Sequence, residues 1–153
     1  MLFEVPYNFD ENLIKFYKKN RSYINYLYLP PYKDDSANTR TSIQTNTVGH
    51  CYMPNTREEY EYHLRRIKEA GLRFVILWQV YEHDLSIEML DYYSGLETSG
   101  FIVANDKNAA LIKQYNPQLL VICSIVQRTC YNILNKDLTN YDYVILYYTF
   151  NRA

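Results

Sequence analysis

Apolar runs of strand length alternate with amphipathic helical segments along almost the whole chain, and this alternation is the strongest constraint on its fold. Strands and helices that alternate every 20–30 residues predict a parallel α/β sheet, either doubly wound or curled into a barrel. The predicted strands are residues 2–8, 23–31, 72–80, 101–105, 118–126 and 143–148. The predicted helices are residues 10–20, 56–71, 86–100, 106–116 and 129–138.

Capping signals indicate where several of these helices begin and end. Thr56 and Glu59 form a capping-box pattern at the start of the second helix, and Asp106 is predicted to cap the fourth. Gly71 and Gly100 are predicted to end the second and third helical segments.

Helical spacing also predicts which residues face the core. On the first helix, Leu13, Phe16 and Tyr17 are expected on one apolar face. On the second, Tyr60, Leu64 and Ile67 are expected to pack inward, whereas His63 is expected to face solvent.

Missing nucleotide motifs favour a barrel over a doubly wound sheet. The chain has four glycines, and neither a G-x-G-x-x-G nor a G-x₄-G-K-[ST] sequence follows any predicted strand. A complete eight-unit barrel has about 250 residues, and this chain has 153. We therefore predict a partial TIM-type (β/α) barrel: one α/β domain over residues 1–153, forming the N-terminal part of a larger barrel.

Residues 32–55 interrupt the alternation with a segment rich in Ser, Thr, Asn and Asp. A loop of this length is uncommon in a compact domain and is often functional. The alternatives are a disordered insertion or, in part, a short hairpin.

Composition excludes some classes of protein. A net charge of −1 provides no electrostatic footprint for nucleic-acid binding, and no apolar run reaches the 18 residues of a membrane span. The three cysteines do not have the spacing of a structural zinc site, so they predict no metal site. Their odd number favours a reduced, cytoplasmic setting. The 18 tyrosines suit strand ends, interfaces and the stacking of sugars or bases, although compositional drift explains them as well.

Barrel enzymes bind substrates at the carboxyl ends of their strands. Glu4 is a further candidate, because a carboxylate within a buried strand is costly unless it is paired. We expect Glu4 either to point at the open end of the barrel or to pair with Arg40 or Arg152. No catalytic residue can be assigned, because no nucleophile elbow or histidine-based triad is evident. The candidate substrate-binding residues are Glu4, Asn8, Arg40, Gln79, Asn105, Asp106, Ser124 and Arg152.

Four segments carry a family resemblance: FEVPYNFDENLIKFY, INYLYLPPYKDDSANTR, FIVANDKNAALIKQYNPQLLVICSIVQRTCYN and VILYYTFNRA. Their order of strand, capped helix and polar turn resembles the N-terminal portion of the collagenase-like peptidase family. In that resemblance Arg40 follows the second strand, Ser124 ends the fifth, and Arg152 follows the sixth.

The resemblance implies a peptidase, or an enzyme that hydroxylates RNA bases or quinone precursors with prephenate or an iron–sulfur cluster. The family's four-cysteine cluster would lie beyond this chain, so no cofactor is expected within residues 1–153. Small-molecule, peptide or RNA substrates are expected, activity is expected to need a missing C-terminal half, and a dimer or a complementing second half is predicted as partner. The alternatives are a non-catalytic half-barrel interaction module, or an unrelated barrel enzyme in which Arg40 and Arg152 hold a small anion.

Overall fold

A computed structural model describes residues 1–33, 35, 53–79, 84–124 and 137–145. The predicted helix at 129–138 falls mostly outside these residues, as does most of the long polar segment at 32–55. The strands are β1 (Phe3–Pro6), β2 (Ile24–Leu29), β3 (Phe74–Trp78), β4 (Gly100–Val103), β5 (Leu120–Cys123) and β6 (Tyr143–Val144). The helices are α1 (Glu11–Lys19), α2 (Arg57–Glu69), α3 (Ile87–Gly95) and α4 (Asp106–Tyr115), with a 3₁₀ turn at Arg21–Tyr23.

All six strands are parallel and pair in the order in which they occur along the chain, β1-β2-β3-β4-β5-β6. A doubly wound sheet reverses its strand order at a switch point, whereas a barrel adds each strand beside the previous one. The strands form a curled half-barrel sheet, and Glu4 of β1 and Ile145 beyond β6 line the same cavity. The predicted α/β fold of partial-barrel type is therefore confirmed.

The two faces of the sheet differ in what covers them. Alternate strand residues such as Leu27, Ile76 and Val103 pack with the helices into one large apolar core. The opposite, concave face holds a much smaller apolar cluster contributed by strand residues: Tyr26, Val75, Leu77, Ile102 and Ile122. Because side chains alternate along a strand, each strand contributes to both layers.

Two of the boundary predictions are correct and two are wrong. Thr56 caps α2, its hydroxyl accepting from the Glu59 N–H at 3.2 Å, and Gly71 follows the helix with φ of +72°. Asp106 does not cap α4: Asn105 is the N-cap, and its side chain accepts from the Asn108 N–H at 2.8 Å. Asn and Asp cap equally well, so adjacent candidates are ambiguous in the sequence.

Gly100 opens strand β4 instead of ending a helical segment. A Cβ at this position would lie 2.1 Å from the carbonyl oxygen of Leu120 on β5. Gly100 therefore permits a close approach of two strands, which is a common reason for glycine in a sheet.

Two predicted orientations are also wrong. Phe16 was predicted on the apolar face of α1, but it is 61% exposed. The buried residues of α1 are Ile14 and Tyr17. His63 is only 6% exposed and lies among aromatic rings, with its Nδ1 2.6 Å from the Tyr7 hydroxyl. Burial lowers the pKa of His63, against the opposing influence of the Glu11 and Glu59 carboxylates.

Tyrosine–carboxylate hydrogen bonds join neighbouring units of the half-barrel. Each joins a phenol on one element to an Asp or Glu on another, so successive βα units are linked by the same chemistry. The pairs are Tyr92–Glu61 between α2 and α3, Tyr115–Asp91 between α3 and α4, and Tyr141–Asp106 between the residues before β6 and α4.

Hydrogen bonds to the buried Asp35 carboxylate hold the described ends of the long polar segment. The Arg57 guanidinium makes hydrogen bonds of 2.6 and 3.2 Å to the Asp35 carboxylate and lies over the Tyr32 ring. The Tyr93 hydroxyl donates to the same carboxylate at 2.5 Å. The Tyr32 hydroxyl donates to the Asn55 carbonyl at 3.1 Å, which brings the two ends of the segment together.

Candidate functional site

A cavity of about 240 Å³ lies on the concave face of the sheet. Five of the six strands, or the residues that directly follow them, contribute side chains to it. These side chains come from both ends of the strand order, because the curl of the sheet brings β1 and β6 to the same space. The lining residues are Glu4, Tyr26, Tyr28, Leu77, Gln79, Ile102 and Ile145.

A hydrogen-bonded polar pair lies at the carboxyl ends of the central strands. Gln79 follows β3 and donates from its Nε2 to the Ser124 hydroxyl, 2.7 Å away, at the end of β5. Gln79 and Ser124 each come directly after a strand-end residue, Trp78 or Cys123, that pairs in register with Val103 of β4. An amide is not a general base, so this contact supports binding by Ser124 more than nucleophilic attack.

A carboxylate and two phenols form the β1–β2 side of the cavity. Glu4 is opposite Tyr26 in the strand register, and Tyr28 follows two residues later on the same face of β2. Burial raises the pKa of Tyr26, and the charge and hydrogen bond of the Glu4 carboxylate raise this pKa further. Among the described residues no lysine, arginine or histidine forms an ion pair with Glu4.

Three of the eight candidate residues come together here. Glu4 and Gln79 line the cavity, and Ser124 is bonded to Gln79. Glu4 is exposed, so the expected cost of a buried carboxylate does not arise. Its predicted partners Arg40 and Arg152 lie outside the described residues.

The other candidates lie away from the described lining of the cavity. Asn105 caps α4, and Asp106 is exposed and accepts a hydrogen bond from the Tyr141 hydroxyl at 2.5 Å. Asn8 is half-buried in the turn between β1 and α1. Asn105 is therefore placed as a helix cap, and Asp106 lies in the first turn of the same helix.

Tyr26 and Tyr28 were not among the candidates, although the sequence carries a signal for them. In YINYLYLPP they are two residues apart, so they share one face of the strand, and Leu27 and Leu29 share the other. That alternation indicates a tyrosine-lined face. It does not indicate which face of the sheet the helices cover.

The described residues do not supply a cluster or metal site. Iron–sulfur centres are commonly held by four cysteine ligands, whereas the described residues include one cysteine, Cys123, which is buried at the end of β5. In the part of the chain that the structure describes, no three His, Cys, Asp or Glu side chains are grouped to hold a metal ion. Within the same residues, none of the helices has the length and apolarity to cross a membrane.

Comparisons with known proteins found no relative of this chain. No family model matches it, and searches of curated proteins and of solved structures also found no match. Arguments about function therefore rest on the cavity and on the residues that line it.

Proposed function

We propose that the concave face of the half-barrel binds a small organic molecule, as the substrate site of a (β/α)-barrel enzyme. The observation that carries the proposal is the cavity, in which a carboxylate, two phenols and an amide meet aliphatic side chains. A concave site with an apolar lining and a few convergent polar groups is the usual form of a ligand pocket. Gln79 and Ser124 also lie at the strand ends where barrel enzymes bind their substrates.

Binding is tested with a fragment library screened by ligand-observed NMR against the 153-residue chain. The variant Gln79→Trp adds a large ring at the cavity and is expected to abolish the signals of fragments that bind there. Lys68→Trp is the matched control, because Lys68 lines a separate groove between α2 and α3. A library without hits, or hits that survive Gln79→Trp, would contradict the proposal, provided that circular dichroism shows both variants to be folded.

The resemblance to collagenase-like peptidases supplies the candidate reactions. We propose peptide hydrolysis, or hydroxylation of an RNA base or quinone precursor, with activity that depends on a complementing second half. Mass spectrometry distinguishes them, since a peptidase shortens a peptide substrate and a hydroxylase adds one oxygen to its substrate. If the chain alone forms no product from peptides, or from RNA and prephenate, the result agrees with dependence on a second half. A product formed by the chain alone would contradict that dependence.

An interaction module is the second candidate function, and the exposure of β1 favours it. In the described residues β1 pairs only with β2, and Leu2 and Phe3 beside its open edge are 59% and 52% exposed. Open edge strands readily pair with another chain. We propose a second copy of this chain as the partner.

Light scattering after size exclusion tests that partner. A dimer that dissociates in Phe3→Glu, but persists in the control Phe16→Glu, would support pairing through β1. A monodisperse wild-type monomer would exclude it at the concentrations used.

A further inference from the structure

We infer that the concave cavity selects ligands that carry a protonated amine on a compact apolar body. This inference rests on the proposed function, because it names the class of ligand for the same site. It follows from the arrangement of Glu4, the tyrosines and the aliphatic wall.

The first step of the argument is the carboxylate. Glu4 is exposed, lines the cavity, and has no described lysine, arginine or histidine as an ion-pair partner. The other described side chains that line the cavity carry no positive charge. A cation gains attraction from such a carboxylate, whereas an anionic ligand is repelled by it.

The second step is the aromatic surroundings of that carboxylate. Tyr26 and Tyr28 lie on the same face of β2, and Tyr26 pairs in register with Glu4. A carboxylate beside phenol rings suits an ammonium group, which is attracted both by the negative charge and by the faces of the rings.

The third step is the opposite wall of the cavity. Leu77, Ile102 and Ile145 provide an aliphatic surface. Among the described lining residues of β3, β4 and the position after β3, Gln79 is the polar one. An apolar ligand body gains free energy against that surface in proportion to the area it buries. The cavity therefore has a charged, aromatic side and an apolar side, as an amphiphilic amine requires.

The experiment uses three probes of similar shape: phenethylamine as cation, 2-phenylethanol as neutral analogue and 3-phenylpropionate as anion. Binding to the 153-residue chain is measured by titration calorimetry and ligand-observed NMR at neutral pH. We expect phenethylamine to bind about five- to ten-fold more tightly than 2-phenylethanol, the effect of a partly exposed ion pair with a cation–π contact. The anion is expected to bind most weakly.

Variants locate the effect. Glu4→Gln is expected to remove the preference for phenethylamine over 2-phenylethanol. Glu97→Gln is the matched control, because this carboxylate lines the groove between α2 and α3, and the preference should persist in it. A preference that survives Glu4→Gln would overturn the inference.

The probes also separate this inference from the proposed function. If 2-phenylethanol binds as tightly as phenethylamine and Gln79→Trp abolishes both, the small-molecule site stands and the inference fails. If 3-phenylpropionate binds most tightly, the site is an anion site and the inference fails. If neither the probes nor the fragment library bind, both proposals fail.

Discussion

The helix-covered layer and the concave face are made by the same strands but differ in chemistry. The outer layer is a large apolar core in which residues such as Tyr60, Phe74 and Phe101 are fully buried. The concave face has five buried apolar residues, and polar groups gather at its edge and its carboxyl end. The comparison indicates that most of the described buried apolar side chains, and the stability that they contribute, belong to the outer layer.

The tyrosines illustrate the same difference. In the outer layer their hydroxyls bond to carboxylates of neighbouring elements, so the phenols act as ties between successive units. On the concave face Tyr26 and Tyr28 both line the cavity. Neither compositional drift nor a single stacking role accounts for both uses.

The largest effect on stability is expected in the outer layer, at Phe101, which is 0% exposed. Phe101→Ala removes a buried ring and leaves a cavity, so we expect a loss of about 3–5 kcal/mol in the free energy of unfolding. Chemical denaturation measures it. The control Phe16→Ala, on an exposed ring, is expected to change stability by less than about 0.5 kcal/mol. Equal losses would show that the outer layer is packed differently.

A smaller loss of stability is expected when a buried tyrosine loses the hydroxyl that bonds to a carboxylate. Tyr93→Phe leaves the Asp35 carboxylate and the Tyr32 N–H, which lies 3.0 Å from the Tyr93 hydroxyl, without that partner. We expect a loss of about 1–3 kcal/mol, the cost of unsatisfied buried polar groups. The exposed tie Tyr115–Asp91 supplies the control, and Tyr115→Phe should cost less than about 0.5 kcal/mol. If the two variants unfold at the same denaturant concentration, the buried hydrogen bond of Tyr93 contributes no more to stability than the exposed one of Tyr115.

Protonation of His63 is expected to weaken the outer layer at acid pH. Because burial lowers the pKa of His63 in the folded state, the unfolded chain binds the proton more readily. Its contribution to stability is therefore complete above the unfolded pKa of about 6.5 and is lost as the pH falls below that value. Free energies of unfolding at pH 7.5 and 5.5 should differ less in His63→Gln than in the wild-type protein. An unchanged difference would assign the pH dependence to other groups.

The smallest stability effect is expected on the concave face. Ser124→Ala removes the acceptor of the Gln79 amide, which is half-buried and can bond to water instead. We expect a change of at most about 1 kcal/mol in stability, together with a measurable change in the affinity of fragments that bind in the cavity. A large stability loss without any change in binding would mean that the Gln79–Ser124 pair is structural.

Part of the candidate site could be read from the sequence. The carboxyl-end rule selected Gln79 and Ser124 because parallel strands end at one edge, and these two side chains are in contact. The same rule selected Asn105 and Asp106, which serve the start of α4 instead. Local sequence does not distinguish a polar residue that caps a helix from one that faces a cavity, since both follow a strand.

His63 shows where a signal was present and was interpreted wrongly. Tyr60, His63, Leu64 and Ile67 have the i, i+3, i+4, i+7 spacing of one helix face, so the spacing predicts a buried histidine. The polar character of the residue led to the opposite prediction. The Tyr7 hydroxyl beside His63, 56 residues away along the chain, makes that burial possible.

The sequence by itself determined the parallel α/β architecture, because helical and strand periodicities are local properties of the chain. It also determined most helix starts, for the same reason. Only the tertiary structure decided that Glu4, Tyr26 and Ile145 share a cavity, and that Tyr93 and Arg57 meet at Asp35. Those meetings depend on the curl of the sheet and on contacts between distant segments, which no local pattern encodes.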